Sequence, residues 1–188
     1  MAPTALNIPV LIRGGGEMAS GIAHRLHQCH MKVLICEIAA PTAVRRSVAY
    51  ADAVFNGRQI IECVEAIKVA TIAEAQEIWR RGAIPLLIDP DAALGRALKP
   101  TVLVDAIMAK RHSTTTLNDA PLVIGVGPGF SAGQNVHDLW AFTMGEYRKA
   151  GWPDHHMLIG HSVGPWWHQQ EPILRRRSAH VLREDPRR

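Results

Sequence analysis

Three consecutive glycines at the end of a short apolar run carry the clearest chemistry in this chain. Val10-Leu11-Ile12-Arg13 stops at Gly14-Gly15-Gly16, and Glu17-Met18-Ala19 begins a helical pattern at once. The spacing Gly14-x-Gly16-x-x-Ala19 suits a turn that cradles phosphate. Gly14 allows a tight exit from a strand, Gly16 lets a pyrophosphate lie against bare backbone, and Ala19 is small enough for close helix–sheet packing. The helix that follows presents unpaired N–H groups and a partial positive charge to an anion. Glu37 closes the next apolar run, 21 residues after Gly16. A ribose-binding carboxylate is expected at about that distance.

These residues need a strand, a helix and a second strand to position them. The pattern predicts strands over about 8–13 and 32–37 with a helix over about 17–29 between them, a Rossmann-like β-α-β unit. Pro41 then breaks the chain, and Thr42-Ala43-Val44-Arg45-Arg46 reads as a helix start or a binding loop. Gln59 to Val69 reads as a single strand. Thr71-Ile72-Ala73-Glu74 has the form of a capping box and opens a helix to Arg81, which Gly82 stops. A buried strand over 83–89, a short helix over 92–98, and strands over 101–105 and 121–126 follow. This alternation predicts an α/β fold, with a parallel sheet covered by helices on both faces.

A second glycine-rich turn, Gly125-Val126-Gly127-Pro128-Gly129-Phe130-Ser131-Ala132-Gly133, follows the last of these strands. Ligands of open α/β sheets sit beyond the carboxyl ends of the strands. The candidate cofactor-binding set is therefore Gly14, Gly15, Gly16, Glu17, Ala19, Glu37, Asp105, Gly127 and Gly129. Backbone N–H groups of Gly15 and Gly16 are expected to hold the phosphate, Glu37 a ribose hydroxyl, and the 127–133 loop the far side. Arg45 and Arg46 suit a phosphate or a solvated face, and Asp105 and Lys110 suit a ligand or a turn. No catalytic residue is assigned. Ser131 lacks a nucleophile elbow and an evident base. His24, His27 and His30 recur every three residues without thiolate or carboxylate partners, so no metal site is expected there.

Bulk composition bounds the class. With 188 residues, 47% hydrophobic and 20% charged, the chain suits one α/β core with a small appendage. It has no run of about 18 apolar residues and no signal-peptide pattern, so a cytoplasmic protein without a membrane span is expected. Cys29, Cys36 and Cys63 lack zinc or redox spacing and read as reduced thiols, Cys36 as a core residue. The net charge of +4 is spread along the chain, and Arg175-Arg176-Arg177 is an isolated cluster, so no nucleic-acid partner is expected. The oligomeric state is left open. Composition changes near 136–140: four of the five tryptophans, Trp140, Trp152, Trp166 and Trp167, lie beyond that point. This sets expected boundaries at 1–137 for a nucleotide-binding domain and 138–188 for a Trp/His-rich tail.

The blocks Leu11 to Gly16, Gly21 to His27, Glu37, Pro41 to Val48, Val104-Asp105-Ala106 with Met108-Ala109-Lys110, and Ala120 to Gly133 with Val136-His137 occur in one order. In this the segment from about 8 to 137 resembles the selenium-dependent molybdenum hydroxylase system proteins, Rossmann-type accessory proteins loosely akin to xanthine dehydrogenase accessory factors. The resemblance implies a cytoplasmic role in maturing molybdenum hydroxylases, with a hydroxylase client as partner. Taken with the glycine turn, the expected cofactor is a nucleotide, an NAD(P)-like dinucleotide or a molybdenum pterin. The alternative readings are an NAD(P)-linked oxidoreductase and a metal hydrolase fragment.

The second alternative comes from the tail. Gly160-His161-Ser162-Val163-Gly164-Pro165-Trp166-Trp167-His168-Gln169-Gln170-Glu171-Pro172 is similar to a block of the creatinase and Xaa-Pro aminopeptidase (pita-bread) metallopeptidases. That similarity would make His161 a metal ligand and His168 a substrate contact. The carboxylate ligands such a site needs have no counterpart here. The chain thus reads as the front of one protein joined to a tail fragment of another.

Overall fold

A computed structural model describes residues 7–110, 113–140 and 161–163. The first strand, β1 (Pro9–Arg13), holds Val10, Leu11 and Ile12 at 1% exposure or less, although they alternate between faces. A strand buried on both sides is continuously apolar, as parallel strands between two helical layers are. Helix α1 (Glu17–Gln28) returns the chain to β2 (Lys32–Glu37), which pairs in parallel with β1. Ala19 and Ala23 lie at 0% exposure on its sheet-facing side, so small residues bring α1 down onto the strands.

Short 3-10 turns at 46–48 and 50–52 and helix α2 (Ala53–Asn56) lead into β3 (Arg58–Ile61) and β4 (Val64–Val69). The single strand expected over 59–69 is instead an antiparallel hairpin. Glu62 and Cys63 make its two-residue turn with φ of 45° and 67°, the positive values a type I′ turn demands. Neither is the glycine or asparagine that normally announces such a turn, which is why the periodicity ran through it.

Helix α3 (Ile72–Arg80) begins as its capping residues predict: Glu74 N–H donates to Thr71 Oγ1 at 3.2 Å. The Glu74 carboxylate reaches back to Ala70 N–H at 2.9 Å, and Gly82 ends the helix at φ +74°. Strand β5 (Ile84–Ile88) inserts between β2 and β4, and α4 (Ala93–Ala97) leads to β6 (Val102–Asp105). Among the described residues no α-helix follows β6. A loop with one 3-10 turn at 117–119 joins β6 to β7 (Leu122–Val126), and an irregular loop joins β7 to β8 (Asp138–Trp140). β9 (His161–Val163) pairs antiparallel with β8.

The sheet order is β3-β4-β5-β2-β1-β6-β7-β8-β9. All neighbouring pairs are parallel except β3–β4 and β8–β9 at the two edges. This is a Rossmann-like α/β fold. One core lies under α1 and α2, with Ile12, Ile35, Tyr50 and Leu86 fully buried. The other lies under α3, α4 and the 127–137 loop, where Phe130 and Val136 replace a helix as cover. Cys36 is buried there; burial pushes its thiol well above the usual range, and the neighbouring Asp89 carboxylate adds to the effect. No helix among the described residues is long and apolar enough to cross a membrane.

Candidate functional site

The chain runs outward from β1 to β2 on one side and restarts with β6 on the other, so the strand order reverses between β1 and β6. Loops leaving two such strands diverge to opposite faces and leave a crevice at their carboxyl ends. A cavity of about 670 Å³ opens there. Its floor is Arg13, Gly14 and Gly16 after β1 and Ala106 to Met108 after β6; Glu37 and the 41–44 loop form one wall.

The three glycines do three different jobs. Gly14 has φ +93°, donates its N–H to the Cys36 carbonyl at 2.8 Å, and would set a Cβ 3.2 Å from the Ala106 carbonyl. It makes the turn. Gly15 is held on every side. Its N–H donates to Glu37 Oε2 at 2.6 Å. Its carbonyl accepts from Ala51 N–H at 2.8 Å and from Ser20 Oγ at 3.0 Å. A Cβ there would stand 3.0 Å from the Ala51 nitrogen. The amide expected to hold phosphate is therefore already satisfied by protein. Gly16 alone faces open space: nothing lies within 4 Å of a Cβ built on it, and it lines the cavity as the extended N-cap of α1. The first amides of α1, next to it, have no acceptors within the helix.

The carboxylates are committed to the scaffold. Glu37, 9% exposed, accepts from Gly15 N–H through one oxygen and from Ile38 N–H at 2.7 Å through the other. It positions the glycine turn while its side chain borders the cavity. Glu17 at the mouth is clasped by Arg45, through its backbone N–H at 2.6 Å and its guanidinium at 2.9 Å. The Arg45 hydrogen bonds hold the Glu17 carboxyl below its ordinary range. Arg46 pairs with Asp52 and stacks 4.7 Å over the Phe55 ring, so neither arginine borders the cavity.

Asp105, at 0% exposure, accepts from Arg13 Nη1 at 2.8 Å, Ser113 Oγ at 2.7 Å and Thr115 Oγ1 at 2.5 Å. Arg13 is itself only 5% exposed. This network ties the ends of β1 and β6 to the loop after β6, and sequence reasoning missed it. The available signal was the pair of opposite charges closing two apolar strands, Arg13 and Asp105, which register places side by side.

The remaining positions divide. Ala19 is in the core and sets the height of α1 rather than facing the cavity. Gly127 (φ +114°) packs against Met108, 3.3 Å from a built Cβ to its Cα; Met108 stands between that loop and the cavity. Gly129 is half-buried beside Phe130 and likewise lies off the cavity wall. The 127–133 loop thus backs the site without lining it. Lys110 does line it, and forms no ion pair among the described residues. Met18, Ile38, Val44 and Ile107 give the mouth an exposed apolar rim.

Elsewhere, His24 Nε2 lies 3.9 Å from Glu62, and burial, with His24 and His30 nearby, lowers the pKa of His27. The described residues contain no group of three or more side chains placed to hold a metal. Of the tail residues, only Asp138 to Trp140 and His161 to Val163 are described. His155, His156, Trp166, Trp167 and His168 lie outside the described residues.

No family model matches the chain, and no solved structure matches it. The uncharacterized protein YqeB of Escherichia coli (strain K12) is 44% identical over 138 residues, 73% of this chain and 26% of YqeB. The chain thus spans about a quarter of the length of the curated relative it matches.

Proposed function

We propose that this chain binds a nucleotide or a nucleotide-bearing cofactor at the head of α1 and serves as an accessory protein in molybdenum hydroxylase maturation. The observation that carries the binding is Gly16, the one glycine of three with open space over it, set at a helix N-terminus in a cavity at the strand switch. A cavity of about 670 Å³ is within the range of small-molecule and cofactor sites. Phosphate is held by the amides of Gly16, Glu17 and Met18. A planar base lies against the apolar rim of Met18, Ile38 and Ile107. Glu37 faces the ribose while holding the turn.

Commitment of Glu37, Glu17 and Asp105 to scaffold bonds favours binding over acid–base chemistry. The accessory role and its hydroxylase client rest on the resemblance of residues 8–137 to the molybdenum hydroxylase system proteins. Titration calorimetry with NAD, NADP, ATP, CTP and a molybdenum pterin cofactor tests the binding. Binding by the wild-type chain should be lost in Gly16→Val. That variant should stay folded, at a cost of about 1 kcal/mol for a poorer N-cap. A folded wild-type chain that binds none of the five refutes the reading.

A further inference from the structure

We infer that Arg13 is the residue that reads an oxyanion of the ligand in this cavity; the inference rests on the nucleotide-binding reading of the same site. Guanidinium carries five N–H donors in a planar fork. The Nη1 end of Arg13 is spent on Asp105, on Thr115 Oγ1 at 2.6 Å and on Ser113 Oγ at 3.2 Å. The other edge, formed by Nε and Nη2, is almost unused. Among the described residues Nη2 makes one long bond, 3.3 Å to the Pro90 carbonyl, and Nε has no acceptor although it is buried.

An orphaned donor on a buried cation is costly, because desolvation is not repaid by a bond. A lysine ammonium would also pair with Asp105, so the ion pair alone does not account for the Nε–Nη2 edge. Arg13 and Pro90 both line the cavity, as does Gly14. The Nε–Nη2 edge is the geometry that grips two oxygens of a phosphate or carboxylate side-on. Asp105 and the two hydroxyls hold the plane of the guanidinium fixed, so little side-chain entropy is lost on binding. Nε is closed off from solvent. An oxyanion that grips this edge must displace what covers Nε.

Arg13→Lys keeps the charge that Asp105 needs and removes the fork. Calorimetric titration of the full chain with ADP, inorganic pyrophosphate and adenosine separates the terms. ADP and pyrophosphate affinity should fall about ten- to hundredfold in Arg13→Lys, the weight of a hydrogen bond to a charged group. Adenosine affinity, lacking an oxyanion, should be equal in the two chains. A second measurement needs no variant fold: the Arg13 Nε–H resonance of labelled wild-type protein should move on adding ADP and stay put with adenosine. Wild-type binding of ADP with an unmoved Nε–H resonance, or with full affinity in a folded Arg13→Lys chain, overturns the assignment and leaves the nucleotide reading standing. Failure of the folded wild-type chain to bind ADP, pyrophosphate or any nucleotide overturns both.

Discussion

Replacing Asp105 with alanine should cost more stability than almost any other single change in this chain. The carboxylate is fully buried and neutralises Arg13, itself 5% exposed, across 2.8 Å. Asp105→Ala removes the acceptor of three side-chain bonds at once and leaves a guanidinium charge in the protein interior. Breaking a buried pair from one side costs about 3–5 kcal/mol, against a total stability of about 5–15 kcal/mol for a typical native protein. For a protein of this size that corresponds to a fall in Tm of about 6–20 °C. Chemical denaturation followed by circular dichroism measures the change, with Arg13→Met/Asp105→Leu as the companion. The double variant removes both charges and should recover most of the loss, since an apolar pair of similar volume replaces a buried ion pair at little cost. A loss below about 1 kcal/mol in Asp105→Ala would refute the reasoning, because it would mean that water reaches Arg13 or that another group neutralises it.

Other consequences follow from the same geometry. Gly15→Ala should destabilise the chain by about 1–3 kcal/mol, the typical cost of overpacking. Its Cβ would press on the Ala51 backbone, whereas Gly16→Ala should leave Tm within a few degrees; thermal melts of the pair compare them directly. A thiol reagent at neutral pH should modify Cys29 and Cys63, which are exposed, and spare Cys36 until denaturant is added. Rapid labelling of all three thiols in the native chain would contradict the packing around Cys36. Glu37→Gln should loosen the glycine turn by weakening a charge-assisted bond to the Gly15 amide, seen as faster exchange of that amide in hydrogen-exchange experiments.

Much of the scaffold was legible because local chemistry and tertiary role agree. β1, β2, α1 and the start of α3 follow from continuous apolar runs, from small residues on one helix face and from Thr71 with Glu74. The β3–β4 hairpin was not legible, because Glu62 and Cys63 adopt positive φ without the residue types that favour it. Nor was the packing after β7, where Phe130 and Val136 in a loop do the covering that a helix does elsewhere.

The site divides in the same way. That a glycine turn at the head of a helix, an acid closing β2 and an aspartate closing β6 would converge on one sheet edge could be read from their order and spacing. Which of them faces a ligand could not. Spacing places a residue at a strand end, but the partner that satisfies it comes from elsewhere in the chain: Glu37 takes the Gly15 amide, Arg13 takes Asp105, and Met108 screens Gly127. Hydrogen bonds between residues 22 and 92 positions apart leave no local mark on a sequence. Only the folded sheet, by setting β6 against β1, decided that Gly16 is the open glycine and that Arg13 is held by Asp105 with its Nε donor unpartnered.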